Sequence, residues 1–258
     1  QLAASVRLQQ GDGAGAVELL QRALASDPKN PQLLEGLGAA ALKAENFVEA
    51  EHWLRRAIGL GKAGAAAYTW LGLALSSQGR RPEAVEVFRR AAVIAPDDPW
   101  AHLNLGHELM QAEEWEEAAT SYERALRLKP NYPEALNGLG SALKVRGSLD
   151  DAAARFQQAI ALRSDYAEAH DNLGDTLLRM DRYADAEASF RQATALAPDS
   201  ADFHADLGNV LFQQQRWEEA AAQFERAAAL RPDFPEALNS MGSALMEGGK
   251  PDAALAPI

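Results

Sequence analysis

The amino-acid sequence predicts an all-α fold, an α-solenoid made of helix–turn–helix repeats that are each 34 residues long. Four series of residues carry this prediction. Two series of alanines, beginning at Ala16 and Ala23, recur with the same period, and a third series of large apolar residues, such as Phe88 and Phe156, follows the first by four positions. The fourth series is glycine, at Gly38, Gly72, Gly106, Gly140, Gly174, Gly208 and Gly242. An uninterrupted period of this length is typical of solenoids, in which each unit buries its apolar face against the next.

Each repeat is predicted to contain two helices. In the first helix, Leu105, Gly106 and Leu109 lie along one helical stripe, and in the second helix Ala118 and Tyr122 do the same. Prolines in segments such as "KPNYP" and "RPDFP" end one repeat and begin the next. A glycine within a helix costs about 0.5–1 kcal/mol relative to alanine. Its recurrence therefore predicts a close approach of the neighbouring helix at each of these positions.

The spacing organises the whole chain, 1–258, as a single array. Truncated repeats are expected at 1–30 and at 235–258. Between them lie six complete repeats, at 31–64, 65–98, 99–132, 133–166, 167–200 and 201–234.

These residues resemble the tetratricopeptide repeat, whose pattern places Leu-Gly, Ala, an aromatic residue and Pro at fixed offsets. The resemblance covers essentially the whole chain and implies a right-handed superhelix. Two features depart from the pattern. Histidine replaces the usual aromatic residue of the first helix in three repeats, and Lys62 and Ser164 replace the closing proline. The segment "GLGKAG" at 59–64 has extra glycines and no proline, so we expect a bend or disorder there.

Composition excludes several classes of partner. The chain carries 37 acidic and 25 basic residues, a net charge of −12, which would repel nucleic acid and anionic membranes. No stretch approaches the roughly 18 apolar residues of a membrane span, so membrane insertion is not expected. The chain contains no cysteine, which excludes disulfides, thiolate metal sites and a cysteine nucleophile. A cytoplasmic location is compatible with these features.

The segment "HLNLGHELMQ" at 102–111 partly matches the His-Glu-x-x-His motif of zinc proteases. The equivalent segment "HDNLGDTLLR" keeps the first histidine but has Asp175 and Thr176 in place of His107 and Glu108. The remaining histidines at this repeat position lie at least one repeat apart, so we interpret them as packing residues. Because the sequence also lacks a Gly-rich phosphate loop and any catalytic constellation, we expect a non-catalytic chain without metal or cofactor.

The resemblance implies that the first helices line a concave face, and that this face binds an extended peptide or a partner protein. The side chains predicted to line it are Trp100, Leu103, Asn104, His107, Met110, Asn137, Ser141, Lys144, Asp171, Asn172, Asp175, Arg179, Asn209 and Phe212. We expect a ligand with a bulky apolar residue and a basic or neutral stretch.

Family members that bind carboxylate tails use a clamp of lysine, arginine and asparagine on their first helices. The equivalent positions here contain neither lysine nor arginine: Glu35, Thr69, Leu103, Asn137, Asp171, Ala205 and Asn239. Asparagines recur at two adjacent repeat positions, Asn104 and Asn172 at one and Asn137 and Asn239 at the other. They resemble part of the asparagine ladder of O-linked N-acetylglucosamine transferase, in which amides bind the peptide backbone. The alternative is that these asparagines bond neighbouring helices to each other, and the sequence leaves both interpretations open.

Two classes of function remain open. The chain is either a non-catalytic interaction scaffold or the substrate-recruiting arm of a larger enzyme, such as a glycosyltransferase or a sulfotransferase. Neither end of the sequence shows a polar capping helix of the kind that normally closes a solenoid. We therefore expect either that the natural chain continues or that the open ends associate with other copies of the chain.

Overall fold

A computed structural model describes residues 13–61 and 63–250, and this part of the chain contains fourteen α-helices and no strands. The helices are α1 Gly13–Ser26, α2 Pro31–Lys43, α3 Phe47–Gly59, α4 Ala65–Ser77, α5 Arg81–Ile94, α6 Pro99–Gln111, α7 Trp115–Leu128, α8 Pro133–Val145, α9 Leu149–Leu162, α10 Ala167–Leu178, α11 Tyr183–Leu196, α12 Ala201–Gln213, α13 Trp217–Leu230 and α14 Pro235–Glu247. The all-α repeat fold predicted from the sequence is confirmed.

The described residues fall into two compact units, divided between Pro130 and Asn131. The first unit contains α1 to α7 and the second contains α8 to α14. Within each unit every helix packs against the next one along the chain. The first helices of successive pairs also contact each other, as α8 does with α10 and α10 with α12. The first helices of each unit therefore form one layer, and their exposed side is a surface on which side chains from several repeats can meet.

Local sequence explains where several helices begin. The side chains of Asn30 and Asn46 accept hydrogen bonds from the backbone N–H groups of Leu33 and Glu49, and so cap α2 and α3. Ser200 caps α12 in the same way. A proline occupies the first helical position of α2, α6, α8 and α14, where its missing N–H leaves no hydrogen bond unmade.

The core combines alanines with one large side chain from each second helix. The rings of Phe88, Tyr122, Phe156, Phe190 and Phe224 are fully buried. Each ring lies against the glycine of the preceding first helix, as the glycine spacing predicts. A Cβ atom on any of the five matching glycines would come within 2.6–2.7 Å of the ring. The glycines are therefore required by close packing between the two helices of a pair.

The segment at 59–64 differs from the corresponding turn of the next repeat, because the helix before it ends earlier. The helix α3 stops at Gly59, one residue earlier than α5 does in repeat register. Gly61 then adopts a positive φ of 72°, and Gly64 precedes α4 without a side-chain cap. The remaining residue of this turn, Lys62, lies outside the described residues, so the expected bend or disorder stays a prediction.

The three histidines at the aromatic position make the same contact. Nε2 of His102, His170 and His204 lies 2.9, 3.1 and 3.0 Å from the backbone carbonyl oxygen six residues earlier. Because a carbonyl oxygen can only accept, each Nε2 carries the proton and donates. Each imidazole thus ties its first helix to the turn before it, a role that a phenyl ring could not perform.

Candidate functional site

The predicted binding residues are divided between the two units. Trp100, Leu103, Asn104, His107 and Met110 belong to α6 of the first unit. The others lie on three first helices of the second unit: Asn137, Ser141 and Lys144 on α8, Asp171, Asn172 and Asp175 on α10 with Arg179 at its end, and Asn209 and Phe212 on α12.

The α6 residues offer less surface than the sequence predicts. Leu103 is only 6% exposed, so it cannot serve as an open apolar pocket as it stands. Trp100 and Met110 are half-buried, and the Asn104 amide donates to the carbonyl oxygen of Trp100 in its own helix at 2.7 Å. His107 is exposed and packs edge-on against the buried ring of Tyr122. The half-buried tryptophan and methionine are therefore the apolar surface that α6 presents.

In the second unit, polar side chains of three successive first helices form a connected group. We call Asn137, Lys144, Asp171, Asn172, Asp175 and Asp206 the polar patch. Asn172 Nδ2 donates to Asn137 Oδ1 at 3.2 Å, which links α10 to α8. Lys144 Nζ donates to Asn172 Oδ1 at 3.2 Å and forms an ion pair with Asp175 Oδ2 at 2.7 Å. The asparagines therefore do bond neighbouring helices, and the inward lysine is already paired.

The carboxyl groups of the polar patch have strongly shifted acidities. Burial, reinforced by the negative charge of Asp206, raises the pKa of Asp171 to about 7. Burial and the charges of Asp175 and Asp202 raise the pKa of Asp206 to about 6. The Lys144 ammonium opposes both shifts. Asp171 Oδ1 is buried and has no hydrogen-bond partner among the described residues. The patch therefore carries more negative character than its own cation neutralises.

The other predicted residues of the second unit lie around this patch in different roles. Ser141 donates to the carbonyl oxygen of Asn137 in its own helix, and the exposed Arg179 donates to the carbonyl oxygen of Lys144 at 3.3 Å. Asn209 is exposed and bonds to Asp206. Phe212 packs edge-on against Trp217, with the ring centroids 4.8 Å apart. Of these four, Asn209 and Arg179 present polar groups to solvent.

Asp206 belongs to the polar patch but is not among the residues predicted from the sequence to line the concave face. The missed signal is its repeat position, which is also that of Asn104 and Asn172. A residue at this position contacts the residue 35 positions earlier, on the first helix of the preceding repeat. Asn172 bonds to Asn137 in this way, and the charge of Asp206 raises the pKa of Asp171. Two acidic residues 35 positions apart on successive first helices, such as Asp171 and Asp206, therefore predict a contact between like charges.

The described residues show no site for metal catalysis. Within 13–61 and 63–250, no group of three or more His, Asp or Glu side chains is arranged to hold a metal ion. Glu108, the acid of the partial zinc motif, is instead buried and accepts a hydrogen bond from Ser76 Oγ at 2.7 Å. None of the described helices is long and apolar enough to cross a membrane.

Comparison with solved structures shows the same fold in several proteins. The Cut9–Hcn1 hetero-tetramer of the APC/C matches 94% of this chain with a TM-score of 0.78 at 19% identity, and this chain spans only 48% of the matched chain. A tetratricopeptide repeat protein from Parabacteroides merdae gives a TM-score of 0.72 at 18% identity, with 94% and 96% of the two chains covered. The Thermus thermophilus protein TTC0263 gives 0.60 at 24% identity, covering 71% of this chain and all of its own.

Comparison with curated protein sequences gave no match. Family models do match. A tetratricopeptide repeat model matches residues 2–65, 172–233 and 205–258, a TPR repeat model matches 72–111 and 106–145, and another tetratricopeptide repeat model matches 131–199. This fold generally serves as a non-catalytic scaffold for protein interactions. With its 34-residue helix pairs and glycine–ring contacts, the chain belongs to the tetratricopeptide repeat family.

Proposed function

We propose that the polar patch of the second unit binds an extended, basic or neutral segment of a partner protein. The observation that carries this proposal is Asp171, whose buried Oδ1 has no hydrogen-bond partner among the described residues and whose pKa is raised to about 7. A buried acceptor without a donor costs about 1–3 kcal/mol. A ligand N–H or ammonium group close to this carboxyl group would stabilise its charged form and lower its pKa.

The surrounding groups suit a peptide backbone. Asn172 Nδ2 donates one hydrogen bond to Asn137 Oδ1, Lys144 Nζ donates to Asn172 Oδ1, and Asn137 also bonds to Tyr166. Because an amide nitrogen carries two N–H groups, each asparagine has a second N–H with which it could donate to a ligand carbonyl. The exposed amide of Asn209 lies on the neighbouring helix α12. Amides that bind backbone groups do not select side chains, so most of the affinity would be independent of ligand sequence. Selectivity would come from charge, and the acids of the patch together with the net charge of −12 disfavour acidic segments.

The test is a titration of the purified chain with a library of fluorescent decapeptides that differ in net charge. We expect the neutral and basic peptides to bind and the acidic peptides to bind at least tenfold more weakly. Asp171→Asn should reduce this discrimination, whereas Asp165→Asn, which changes the same charge in the turn before α10, should leave it intact. The proposal is wrong if the tightest ligands are acidic C-terminal peptides, or if bound peptides map to the second helices.

A further inference from the structure

A cavity of about 110 Å³ lies beside the polar patch, between α12 and α14 of the second unit. We call it the α12–α14 cavity and define it by Asp202, Ala205, Asp206, Phe234, Glu236 and Ser240, which line it. A cavity of roughly 10–15 Å³ is large enough to hold one water molecule, so the α12–α14 cavity has room for several heavy atoms.

In the second unit, the α12–α14 interface lacks the longer side chains that meet at the other two interfaces between first helices. Where α8 meets α10, Asn137 and Asn172 bond across the interface. Where α10 meets α12, the equivalent residues are Asp171 and Asp206. Where α12 meets α14, they are Ala205 and Ser240, which are too short to reach each other and which both line the cavity.

The lining combines an apolar wall with negative charge. Phe234 and the fully buried Phe224 supply aromatic surface. Asp202, Asp206 and Glu236 supply three carboxyl groups, and none of the lysines or arginines in the described part of the chain lines the cavity. Arg231 bonds to Asp202 and lies over the Phe234 ring, 3.9 Å from its centroid, so it neutralises one of the three acids. The remaining charge is complementary to a cation whose stem is apolar.

We propose that the α12–α14 cavity receives a lysine side chain from the partner's extended segment. Lysine fits because its ammonium is a compact charge on a slender apolar stem, whereas the planar guanidinium of arginine needs a wider space. The stem would pack against Phe234 while the ammonium faced Asp206 and Glu236. This inference rests on the proposed function, because the polar patch, which shares Asp206 with the cavity, would hold the backbone on either side of that lysine.

The direct test uses n-butylammonium, which reproduces the lysine side chain without a peptide backbone. In an amide NMR titration of the full chain, we expect saturable shifts at Ala205, Asp206, Ala237 and Ser240. The neutral analogue n-butanol should cause at most one-third of these shifts at the same concentration, and n-butylguanidinium should bind at least threefold more weakly. Equal binding of n-butanol, or shifts that do not saturate, would show that the cavity has no preference for a cation.

Three variants locate the binding. Ser240→Leu should fill the cavity and abolish the shifts, whereas Ser240→Ala should leave the cavity open and retain them. Glu236→Gln, which removes a charge without removing volume, should weaken n-butylammonium at least threefold and leave n-butanol unchanged. Melting curves of all three variants check that each is folded. Retention of n-butylammonium binding by folded Ser240→Leu would place the site elsewhere and overturn the inference.

Peptides separate this inference from the proposed function. We compare decapeptides that differ only in one group, which is lysine, norleucine, arginine or a free N-terminal amine. The lysine peptide should bind at least fivefold more tightly than the other three. If such peptides bind the polar patch without preferring lysine, the inference about the cavity fails and the proposed function stands. If no peptide binds the polar patch, the proposed function fails, whatever n-butylammonium does.

Discussion

Gly140 of α8 lies directly against the ring of Phe156 in α9, and a Cβ atom at Gly140 would come within 2.7 Å of ring atom Cε1. Phe156 is fully buried, so its ring has little room to move away. Gly140→Ala should therefore destabilise the chain by about 1–3 kcal/mol, and Gly140→Leu by at least as much. Thermal or urea unfolding measures the loss.

Gly59→Ala is the matched control for this substitution. Gly59 is the last residue of α3, and a Cβ atom there would meet no other atom within 4 Å. The change should be neutral or stabilise the chain by up to about 1 kcal/mol, because alanine loses less backbone entropy than glycine. Equal effects of Gly140→Ala and Gly59→Ala would mean that packing does not require the in-register glycine.

These glycine contacts show which part of the fold the sequence predicts well. The stripes of small and large residues are local patterns. Five of the seven in-register glycines meet a ring 16 residues later, as Gly140 meets Phe156, whereas Gly38 meets Leu54 and Gly242 has no described atom within 4 Å of its Cβ position. The helices and their pairing follow from such patterns alone. Leu103 shows where this reasoning stops, since a first-helix residue predicted to face a ligand proves to be buried. Its exposure depends on neighbouring helices, which the pattern within one repeat does not describe.

Contacts between repeats were the harder part to predict. Asp206 and Asp171 are 35 residues apart, and their interaction depends on how far one first helix is shifted along the next. Hydrogen bonds from Gln214 and Arg216 to Glu187 also join successive repeats and were not predicted, although the sequence contains a signal for them. Glutamate, glutamine and arginine at 187, 214 and 216 repeat the spacing of Glu51, Gln78 and Arg80. The same hydrogen bonds form in both units.

Glu187 should be important for stability despite being charged. Its side chain is 9% exposed and accepts hydrogen bonds from Arg216 Nη1 at 2.6 Å and Gln214 Nε2 at 2.8 Å. Burial alone would raise the pKa of Glu187, but these partners outweigh it and lower the pKa. Glu187→Ala should cost about 1–3 kcal/mol, because it removes the buried acceptor that Arg216 Nη1 and Gln214 Nε2 share.

The neighbouring Glu219 provides the comparison. It also bonds to Arg216, but its side chain is 56% exposed, so Glu219→Ala should cost less than about 1 kcal/mol. Urea unfolding of the two variants measures the difference. Equal losses would show that burial of Glu187 adds nothing to the ion pair.

The Asp171 carboxyl should make stability depend on pH in an unusual direction. Because its pKa is raised to about 7, the folded chain holds this proton between roughly pH 4 and 7, whereas the unfolded chain has released it. This group therefore stabilises the folded state least above pH 7, where Asp206, Asp175 and Asp202 repel its charge and Lys144 only partly compensates.

Asp171→Asn removes this charge while keeping the shape of the side chain. Relative to wild type, the variant should gain on the order of 1 kcal/mol at pH 8, about 2–4 °C in Tm, and little or nothing at pH 5. Subtracting the wild-type curve removes the pH dependence of all other groups. A gain that is the same at pH 5 and pH 8 would contradict a raised pKa at Asp171.

The turns between paired helices contain a residue with positive φ, and the residue type varies. It is Glu113 at 62° in one repeat and Gly147 at 82° in the next. An L-residue pays roughly 1–2 kcal/mol in this conformation, whereas glycine adopts it freely. Glu113→Gly should therefore stabilise the chain by up to about 1 kcal/mol, and Gly147→Ala should destabilise it by about the same amount. Thermal melts test both, and the same sign for both would contradict the argument.

Binding to the polar patch should depend on Asn137 and Asn172 in the same way for every peptide ligand. Asn172 Nδ2 donates to Asn137 Oδ1, and we propose that the second N–H group of each amide donates to the ligand backbone. Replacing both residues with alanine should weaken all peptide ligands by a similar factor, about tenfold if two net hydrogen bonds of 0.5–1 kcal/mol each are lost. Titrating peptides of different sequence against wild type and the double variant measures this factor. A double variant that discriminated among ligand side chains would mean that these amides do not bind the ligand backbone.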